Sequence, residues 1–399
     1  MEKNQSKKIY IFFLLLITFI LSGSIFLTLN ASFVNIRLLS MVLFITVIYY
    51  VFPKKPLHKN GVLFIIWTFL FFMTILQRFK TGWGESFGLF SAMVFGMYIS
   101  QKYNNKDVKR FYINFIGIIT LISLIGYSVN NYFFSLNSLL PEYINSNDIS
   151  FSVGVIYNYI TIEPERNCGP FWEPGVFASW IIIAMILLAF ERNFPRKKIL
   201  IIIMILGILS TYSAAGYLLL IFVLIIGILN ISRAIRSTAA KNLIQFSLLF
   251  SIVILLLFVY PFFERQFEND YYFGELSGNN FWESSRVFSV QQNWKLFLKN
   301  PILGLGSSYV ETHTTNVGNT SSSMFLIASY GVLGITYTLA FISGIFHQKN
   351  VSLSNKIILM VIFLIIINKE PHYEFTWTWV LLFYMLKEEY FFEDNTKCG

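Results

Sequence analysis

The 399-residue chain is 55% hydrophobic and only 13% charged, with a mean hydropathy of +0.62. A soluble globular domain carries about 25% charged residues, so this composition excludes an ordinary water-soluble protein. The net charge of +9 would favour a nucleic-acid partner in a soluble chain, but in a membrane protein excess Lys and Arg mark the cytoplasmic loops, and we expect no nucleic-acid partner.

Long apolar stretches recur along the chain and predict an all-α, polytopic transmembrane bundle of about twelve helices, each of roughly 20 residues. The first stretch lacks a clear cleavage site, so we interpret it as an uncleaved helix rather than a secretory signal. The whole of 1–399 is predicted to form a single integral membrane domain. The predicted spans lie near 9–28, 34–52, 61–77, 84–100, 111–129, 174–190, 199–212, 214–230, 243–262, 321–345, 357–368 and 375–386.

The distribution of charge predicts the orientation of these spans. With the N-terminus inside, the alternate connections and both termini hold 21 of the 30 Lys and Arg residues, the asymmetry expected of cytoplasmic segments. Both termini are therefore predicted to be cytoplasmic, and two large loops, at 130–173 and 264–320, face the other side. The stretch 199–229 is interrupted by Ser210–Gly216 and fits either two short spans or one bent helix.

The first large loop ends in Arg166-Asn-Cys-Gly-Pro-Phe-Trp-Glu-Pro-Gly175, just where a helix is predicted to begin. Pro174 suits a first helical turn, and Glu173 would lie at the positive end of the helix dipole. In the simplest interpretation Glu173 caps the helix and Arg166 reaches lipid headgroups. Alternatively, a turn at Gly169 folds the guanidinium back over the helix start, a place suited to an anion such as phosphate.

The second large loop contains a predicted amphipathic helix at the membrane surface, with Val287, Val290, Trp294 and Phe297 on one face and an end at Asn300-Pro301. Such an aromatic stripe is more often a packing surface than a binding site. Arg286, at the start of this helix, is harder to explain by packing alone.

The glycines Gly304 and Gly306 follow in Ile302-Leu-Gly-Leu-Gly306, without the alternating strand and helix of a nucleotide-binding loop. They predict a tight turn or a close approach to substrate. His313 lies in a polar segment where a histidine is usually only solvated. Asn319 and three serines then lead into the next span. Carboxylates are nearly absent from the spans, which argues against a proton-driven pump.

Five parts of the chain resemble, in content and order, the O-antigen ligase and polymerase family, and within it the Wzy-type polymerases. They are Arg166–Gly175, Ser210–Gly216, Arg286, Asn300–Gly306 and Tyr330–Gly334. The resemblance covers roughly residues 150–340. It implies a GT-C-like glycosyltransferase of the bacterial cytoplasmic membrane that needs no metal or other cofactor. Such an enzyme would join undecaprenyl-diphosphate-linked repeat units into O-antigen or capsular polysaccharide on the outer membrane face.

The resemblance also implies roles for individual residues. Arg166 and Arg286 would bind the diphosphate, and Glu173 or His313 would accept the proton of the attacking sugar hydroxyl. In the ligase branch of the family a His in this loop is followed closely by Asn, whereas Thr314 follows His313 here. The implied substrate-binding residues are Gly169, Trp172, Tyr212, Ser213, Gly304, Gly306 and Asn319. The implied partners are the lipid-linked oligosaccharide, the bilayer and a chain-length regulator protein.

Three other functions fit parts of the pattern. A ligase would transfer finished glycan to a lipid or protein acceptor. A flippase or transporter for lipid-linked sugars would place its charges along a central cavity, but the large loops and the lack of an internal repeat count against it. In a non-catalytic scaffold of an export complex, Arg166 and Arg286 would be replaceable.

Overall fold

The computed structural model describes residues 83–133, 139–144, 150–154, 156–161, 164–191, 193–234, 286–314 and 321–392, together with positions 16, 237, 239, 242 and 246. The predicted spans at 9–28, 34–52 and 61–77, and most of that at 243–262, lie outside these residues. The chain divides into two compact units. The first contains the described parts of Met1–Val108, Phe273–Lys349 and Ile366–Phe391, and the second those of Lys109–Tyr272, Asn350–Ile365 and Phe392–Gly399.

Helices make up most of the described chain. In chain order the elements are α1 (Trp83–Lys102), α2 (Asn105–Tyr132), β1 (Glu142–Ile144), β2 (Ser150–Val153), β3 (Asn158–Ile160), α3 (Pro174–Phe190), α4 (Lys197–Ser210), α5 (Ala214–Ala234), α6 (Arg286–Lys299), α7 (Ser307–His313), α8 (Ser322–Tyr330), α9 (Ile335–Phe346), α10 (Leu353–Lys369) and α11 (Thr376–Lys387). Short 3-10 helices lie at Gly331–Gly334 and His372–Glu374. The helix predicted at 174–190 is confirmed with both ends, and 199–229 forms two helices rather than one.

Helix α3 is the core of the second unit. Its residues from Pro174 to Leu188 are buried, and it packs against both α4 and α5. Close approach of α2 and α4 depends on Gly207, where a Cβ would lie 2.2 Å from the Thr120 side chain. The remaining apolar surface of these helices, including Ile118 and Ile202, is exposed, as expected for contact with lipid.

In the first unit, α11 packs against α1 and α9. A Cβ on Gly96 would lie 2.7 Å from the Trp379 backbone, so the α1–α11 contact requires glycine. The Tyr384 hydroxyl donates to the carbonyls of Ile99 and Tyr103, at 3.1 and 2.9 Å. The Ile99 carbonyl already accepts from the Tyr103 N–H at 3.0 Å, so the hydroxyl adds a second bond there and joins the end of α1 to α11.

Two helical stretches among the described residues are long and apolar enough to cross a membrane, namely Asn105–Tyr132 and Ser322–Phe346. Pro174–Phe190 and Ala214–Asn230 are apolar but shorter. The predicted count of twelve spans therefore has direct structural support from these two alone. The predicted span at 321–345 is not a straight helix, because the 3-10 turn Gly331–Gly334 separates α8 from α9.

The purely helical prediction misses a small sheet in the first large loop. Strands β1, β2 and β3 form an antiparallel sheet in that order, with Phe151 opposite Ile160 and Ser152 opposite Tyr159. The sequence carries a signal for it: Ser150-Phe-Ser-Val153 alternates polar and apolar residues, and the turn-forming run Asn-Ser-Asn-Asp precedes it at 145–148. The length of the apolar helices obscures such short strands.

The predicted amphipathic helix exists as α6, but its buried face differs from the predicted one. Ser289, Asn293, Leu296 and Phe297 are buried, whereas Trp294 is 48% exposed. Helix α6 packs on α8 through this mixed polar and apolar face. Of the predicted apolar face, Phe297 is buried and Trp294 is exposed, and the stripe does not indicate the two buried polar positions.

A buried ion pair in the second unit gives a test of this packing. Lys109 Nζ lies 2.8 Å from Glu191 Oε1, and both side chains are 4% exposed. We expect Lys109→Met to lower the free energy of unfolding by about 3–5 kcal/mol, because it leaves a buried carboxylate without its cation, and Lys109→Met with Glu191→Leu to recover most of the loss.

The measurement is thermal unfolding in detergent micelles. Lys349→Ala serves as the matched control, because Lys349 pairs with Glu389 at 2.6 Å with its side chain 58% exposed, and it should change little. Equal effects of Lys109→Met and Lys349→Ala would contradict the expectation.

Candidate functional site

The segment before α3 is held by one buried side chain, that of Asn167, which is 0% exposed. Asn167 Oδ1 accepts hydrogen bonds from Ser123 Oγ at 2.6 Å and from the Gly169 N–H at 2.9 Å. Its Nδ2 donates to Ser210 Oγ at 3.0 Å, and its backbone N–H donates to the Ser210 carbonyl at 3.0 Å. The loop is thereby fixed to α2 and to the end of α4.

The turn predicted at Gly169 is present. Gly169 has φ +56, and a Cβ there would lie 2.9 Å from the Phe177 ring in the first turns of α3. Both the left-handed backbone and the lack of space require glycine. Backbone conformation and packing therefore explain the glycine at this position without any contact to substrate.

Arg166 lies against the break between α4 and α5, and its side chain is half-buried. Its Nε donates to the Thr211 carbonyl at 3.4 Å, and its charge acts on the nearby Tyr217. The next residue of the break, Tyr212, has φ +47, a conformation that costs free energy for a residue with a side chain. Arg166 and Tyr212, two of the predicted site residues, are thus brought together.

Glu173 and Trp172 lie at the entrance to α3, and both are half-buried. Glu173 is the N-cap residue by backbone conformation, but its side chain makes no capping hydrogen bond. The simplest prediction, a capping carboxylate, is therefore wrong. Ser213 does cap a helix, since its Oγ accepts from the Gly216 N–H at 3.2 Å at the start of α5.

Arg286 and His313 belong to the first unit, whereas Arg166 belongs to the second. Arg286 is the first residue of α6, as predicted. His313 is the last residue of α7, and its exposed ring stacks on Tyr309 with centroids 3.8 Å apart. His313 Nδ1 is 2.8 Å from the Tyr309 carbonyl, so the ring orientation is fixed while Nε2 points away from this contact.

Gly304 and Gly306 bring two pieces of backbone together. A Cβ on Gly304 would lie 2.3 Å from the Ser329 carbonyl oxygen, and the Gly306 N–H donates to that carbonyl at 2.9 Å. Both glycines have positive φ. The predicted tight turn is present, since the Gly304 N–H donates to the Asn300 carbonyl at 2.9 Å, and the close approach that the structure shows is to the end of α8.

The three serines at the start of α8 hold the connection between α10 and α11. Ser321 Oγ donates to Asn368 Oδ1 at 2.8 Å, and Ser322 Oγ donates to the Glu370 carbonyl at 2.9 Å. Asn319, predicted to bind substrate, lies outside the described residues. The polar sequence of 368–374, between two predicted spans, indicates only a turn and does not reveal the buried side chains that this segment carries.

His372 is the most unusual of these missed residues. It is fully buried, its Nδ1 is 3.4 Å from Thr378 Oγ1, and its Nε2 has no hydrogen-bond partner within the described part of the chain. Burial, assisted by the charge of Lys369, lowers the pKa of His372 to about 3. The imidazole is therefore neutral at physiological pH.

Comparison with protein families matches residues 199–342 to the family described as O-antigen ligase. The matched segment includes Tyr212, Arg286 and His313, whereas Arg166 precedes it. Comparisons with curated proteins and with solved structures found no match. Proteins of the matched family are membrane proteins that transfer glycans, in agreement with the two helices that are long enough to span a membrane.

The Asn167 network predicts a large effect of a small change. Asn167→Ala removes three side-chain hydrogen bonds, each worth about 1 kcal/mol, so thermal unfolding in micelles should report a loss of roughly 2–4 kcal/mol. Asn131→Ala, at an exposed asparagine of α2, should have little effect. Similar stability of the two variants would contradict the network's role.

His372 predicts a pH dependence of stability. Because its pKa is lower in the folded protein than in the unfolded chain, the unfolded state binds the proton first as pH falls below about 6.5. Stability should thus be full above pH 6.5 and decline towards pH 4, by up to about 1.4 kcal/mol per pH unit. His372→Gln should flatten this decline and exposed His347→Gln should not; an unchanged slope in His372→Gln would refute the assignment.

Proposed function

We propose that this chain, a member of the O-antigen ligase and polymerase family, is a polymerase of undecaprenyl-diphosphate-linked repeat units. The anchored position of Arg166 carries the proposal. Its Nε is held by the Thr211 carbonyl, and the loop behind it is held by buried Asn167. A guanidinium fixed in this way keeps a planar fork of donors that matches diphosphate oxygens.

The N-terminus of α3, in the same unit, adds to this positive site. Residues 166–173 lead directly into the N-terminus of α3, whose first-turn N–H groups favour an anion. Charge that develops on a diphosphate leaving group would be stabilised by Arg166 without reorganisation of solvent. No metal or other cofactor is needed for this step.

The proposed reaction is a single glycosyl transfer. The bond between the anomeric carbon of the growing glycan and its phosphate oxygen breaks, and a new bond forms to a hydroxyl of the next lipid-linked repeat unit. Undecaprenyl diphosphate leaves with the electron pair, and the hydroxyl proton passes to a general base. We assign this base to Glu173, whose side chain does not cap α3, with His313 as the alternative.

The preference for polymerase over ligase comes from the second loop. His313 is followed by Thr314, whose hydroxyl bonds back to the Val310 carbonyl at 2.7 Å, rather than by the asparagine of the ligase branch. The outer face of the cytoplasmic membrane and a chain-length regulator belong to the same proposal.

Arg166→Ala tests the proposal in cells that make the polysaccharide. We expect single repeat units to accumulate on the carrier and the polymer ladder to fall at least tenfold, because the leaving group loses its fixed cation. Arg166→Lys should recover only part of the activity, since an ammonium lacks the fork, and Arg286→Ala should resemble Arg166→Ala.

Electrophoresis of the glycan with a blot of the membrane protein is the measurement. Arg110→Ala, at an exposed arginine of the same unit, is the control and should leave the ladder intact. An unchanged ladder in Arg166→Ala at normal protein abundance would refute the diphosphate role.

A further inference from the structure

A polar stripe runs along one face of α2 towards the Arg166 loop. Ser123, Gly126, Tyr127 and Asn130 follow helical spacing, whereas nearby Ile122 and Ile125 on the same helix are exposed apolar residues. Ser123 bonds to Asn167 in the loop. The stripe therefore faces the same loop that positions Arg166.

Three tyrosines from different elements meet at this stripe. The Tyr127 hydroxyl is hydrogen bonded to Tyr212 of the α4–α5 break, and Tyr157 lies within electrostatic range of Tyr127. The Tyr157 ring packs on α2 so closely that a Cβ on Gly126 would lie 2.8 Å from its Cγ. Through Tyr212 and the neighbouring Tyr217, this cluster reaches Arg166.

Two buried atoms of the cluster, Tyr157 Oη and Asn130 Oδ1, make no hydrogen bond of normal geometry in the described part of the chain. The Asn130 side chain interacts with the Tyr157 hydroxyl, so the two groups lie side by side, and each keeps the capacity for a further hydrogen bond. A buried polar atom without a good hydrogen bond is unfavourable, so each such atom needs an explanation, and a bound ligand is one. Burial raises the pKa of Tyr157, which keeps its hydroxyl protonated and able to donate.

Part of the cluster is accessible from outside the protein. Tyr127, Asn130 and Tyr212 are each partly exposed, whereas Tyr157 is buried. Aromatic faces together with hydroxyl and amide groups suit a sugar ring, whose C–H face packs on aromatic rings and whose hydroxyls need hydrogen-bond partners. The strained φ of Tyr212 also fits a side chain held in place for binding.

We propose that Tyr127, Asn130, Tyr157 and Tyr212 form a saccharide subsite for the sugar that is joined to the carrier diphosphate, next to Arg166. The inference rests on the proposed function, because it assumes that Arg166 binds that diphosphate. Tyr157 Oη and Asn130 Oδ1 then bind hydroxyl groups of this sugar, and Tyr127 and Tyr212 contact its ring. Arg166 binds the carrier diphosphate, and the subsite binds the sugar that is attached to it.

The test compares two probes on purified protein in detergent micelles. One is undecaprenyl diphosphate without sugar, and the other is lipid-linked repeat unit extracted from cells that lack the active protein. We expect wild type to bind the sugar-bearing lipid more tightly than the bare carrier. Tyr157→Phe should bind the bare carrier normally but lose roughly three- to tenfold in affinity for the sugar-bearing lipid, the effect of one neutral hydrogen bond.

Stability separates a binding role from a structural one. Because the Tyr157 hydroxyl makes no hydrogen bond of normal geometry among the described residues, Tyr157→Phe should leave the unfolding midpoint without ligand unchanged or raise it. Tyr159→Phe is the matched control, since Tyr159 Oη is another buried hydroxyl that makes no hydrogen bond of normal geometry among the described residues; it lies on β3, two residues beyond Tyr157 and opposite Ser152. It should bind both probes like wild type. Asn130→Ala provides a second variant and should weaken the sugar-bearing lipid alone.

Two results would overturn the subsite. One is a Tyr157→Phe protein that discriminates between the probes as well as wild type, and the other is a clear fall in its unfolding midpoint. A failure of the proposed function looks different: wild type itself would bind neither probe, or Arg166→Ala would bind both as well as wild type.

Discussion

The buried side chain of Asn167 is the constraint on which the second unit depends. It ties three separate pieces of chain together: α2 through Ser123, the end of α4 through Ser210, and its own turn through Gly169. The partner at Gly169 is a backbone N–H, and the partners at Ser123 and Ser210 are side-chain hydroxyls. Because one amide group serves all three pieces, the position of Arg166 is coupled to the packed helices of the second unit.

In the first unit, glycines and serines hold the irregular backbone between helices. There, glycines with positive φ let the segment around Gly304 lie directly on the end of α8, and serines at the start of α8 hold the connection that carries His372. In both units, irregular backbone between apolar helices is held by buried polar contacts. Such non-helical backbone is tolerated near a membrane only where protein or a polar cavity satisfies it.

Much of the fold could be predicted from the sequence because long apolar helices have a strong signal. Pro174 marked the start of α3, and Asn300-Pro301 marked the end of α6. The three short strands were missed, since three or four alternating residues carry little weight beside such helices. The burial of Ser289 and Asn293 on α6 could not be predicted, because it depends on tertiary contacts.

The candidate site was predictable only in part. Arg166 stood out because a cation in a turn-rich motif before a helix has a chemical reason to be there. His372, Asn130 and Tyr157 did not, since their significance comes from burial and from unsatisfied atoms, which no local pattern reveals. Conversely, Gly304 and Ser213 looked like binding residues, yet the structure shows contacts that explain them through packing and helix capping.

The central claim is that this chain alone links repeat units by transfer from the carrier diphosphate. Its most direct test is reconstitution of the purified protein in liposomes with lipid-linked repeat units as the sole substrate and EDTA present. The account predicts a ladder of glycans by mass spectrometry and one undecaprenyl diphosphate released for each linkage formed. A protein that leaves the repeat units single, but transfers glycan once a separate acceptor is added, would contradict the polymerase assignment and identify a ligase.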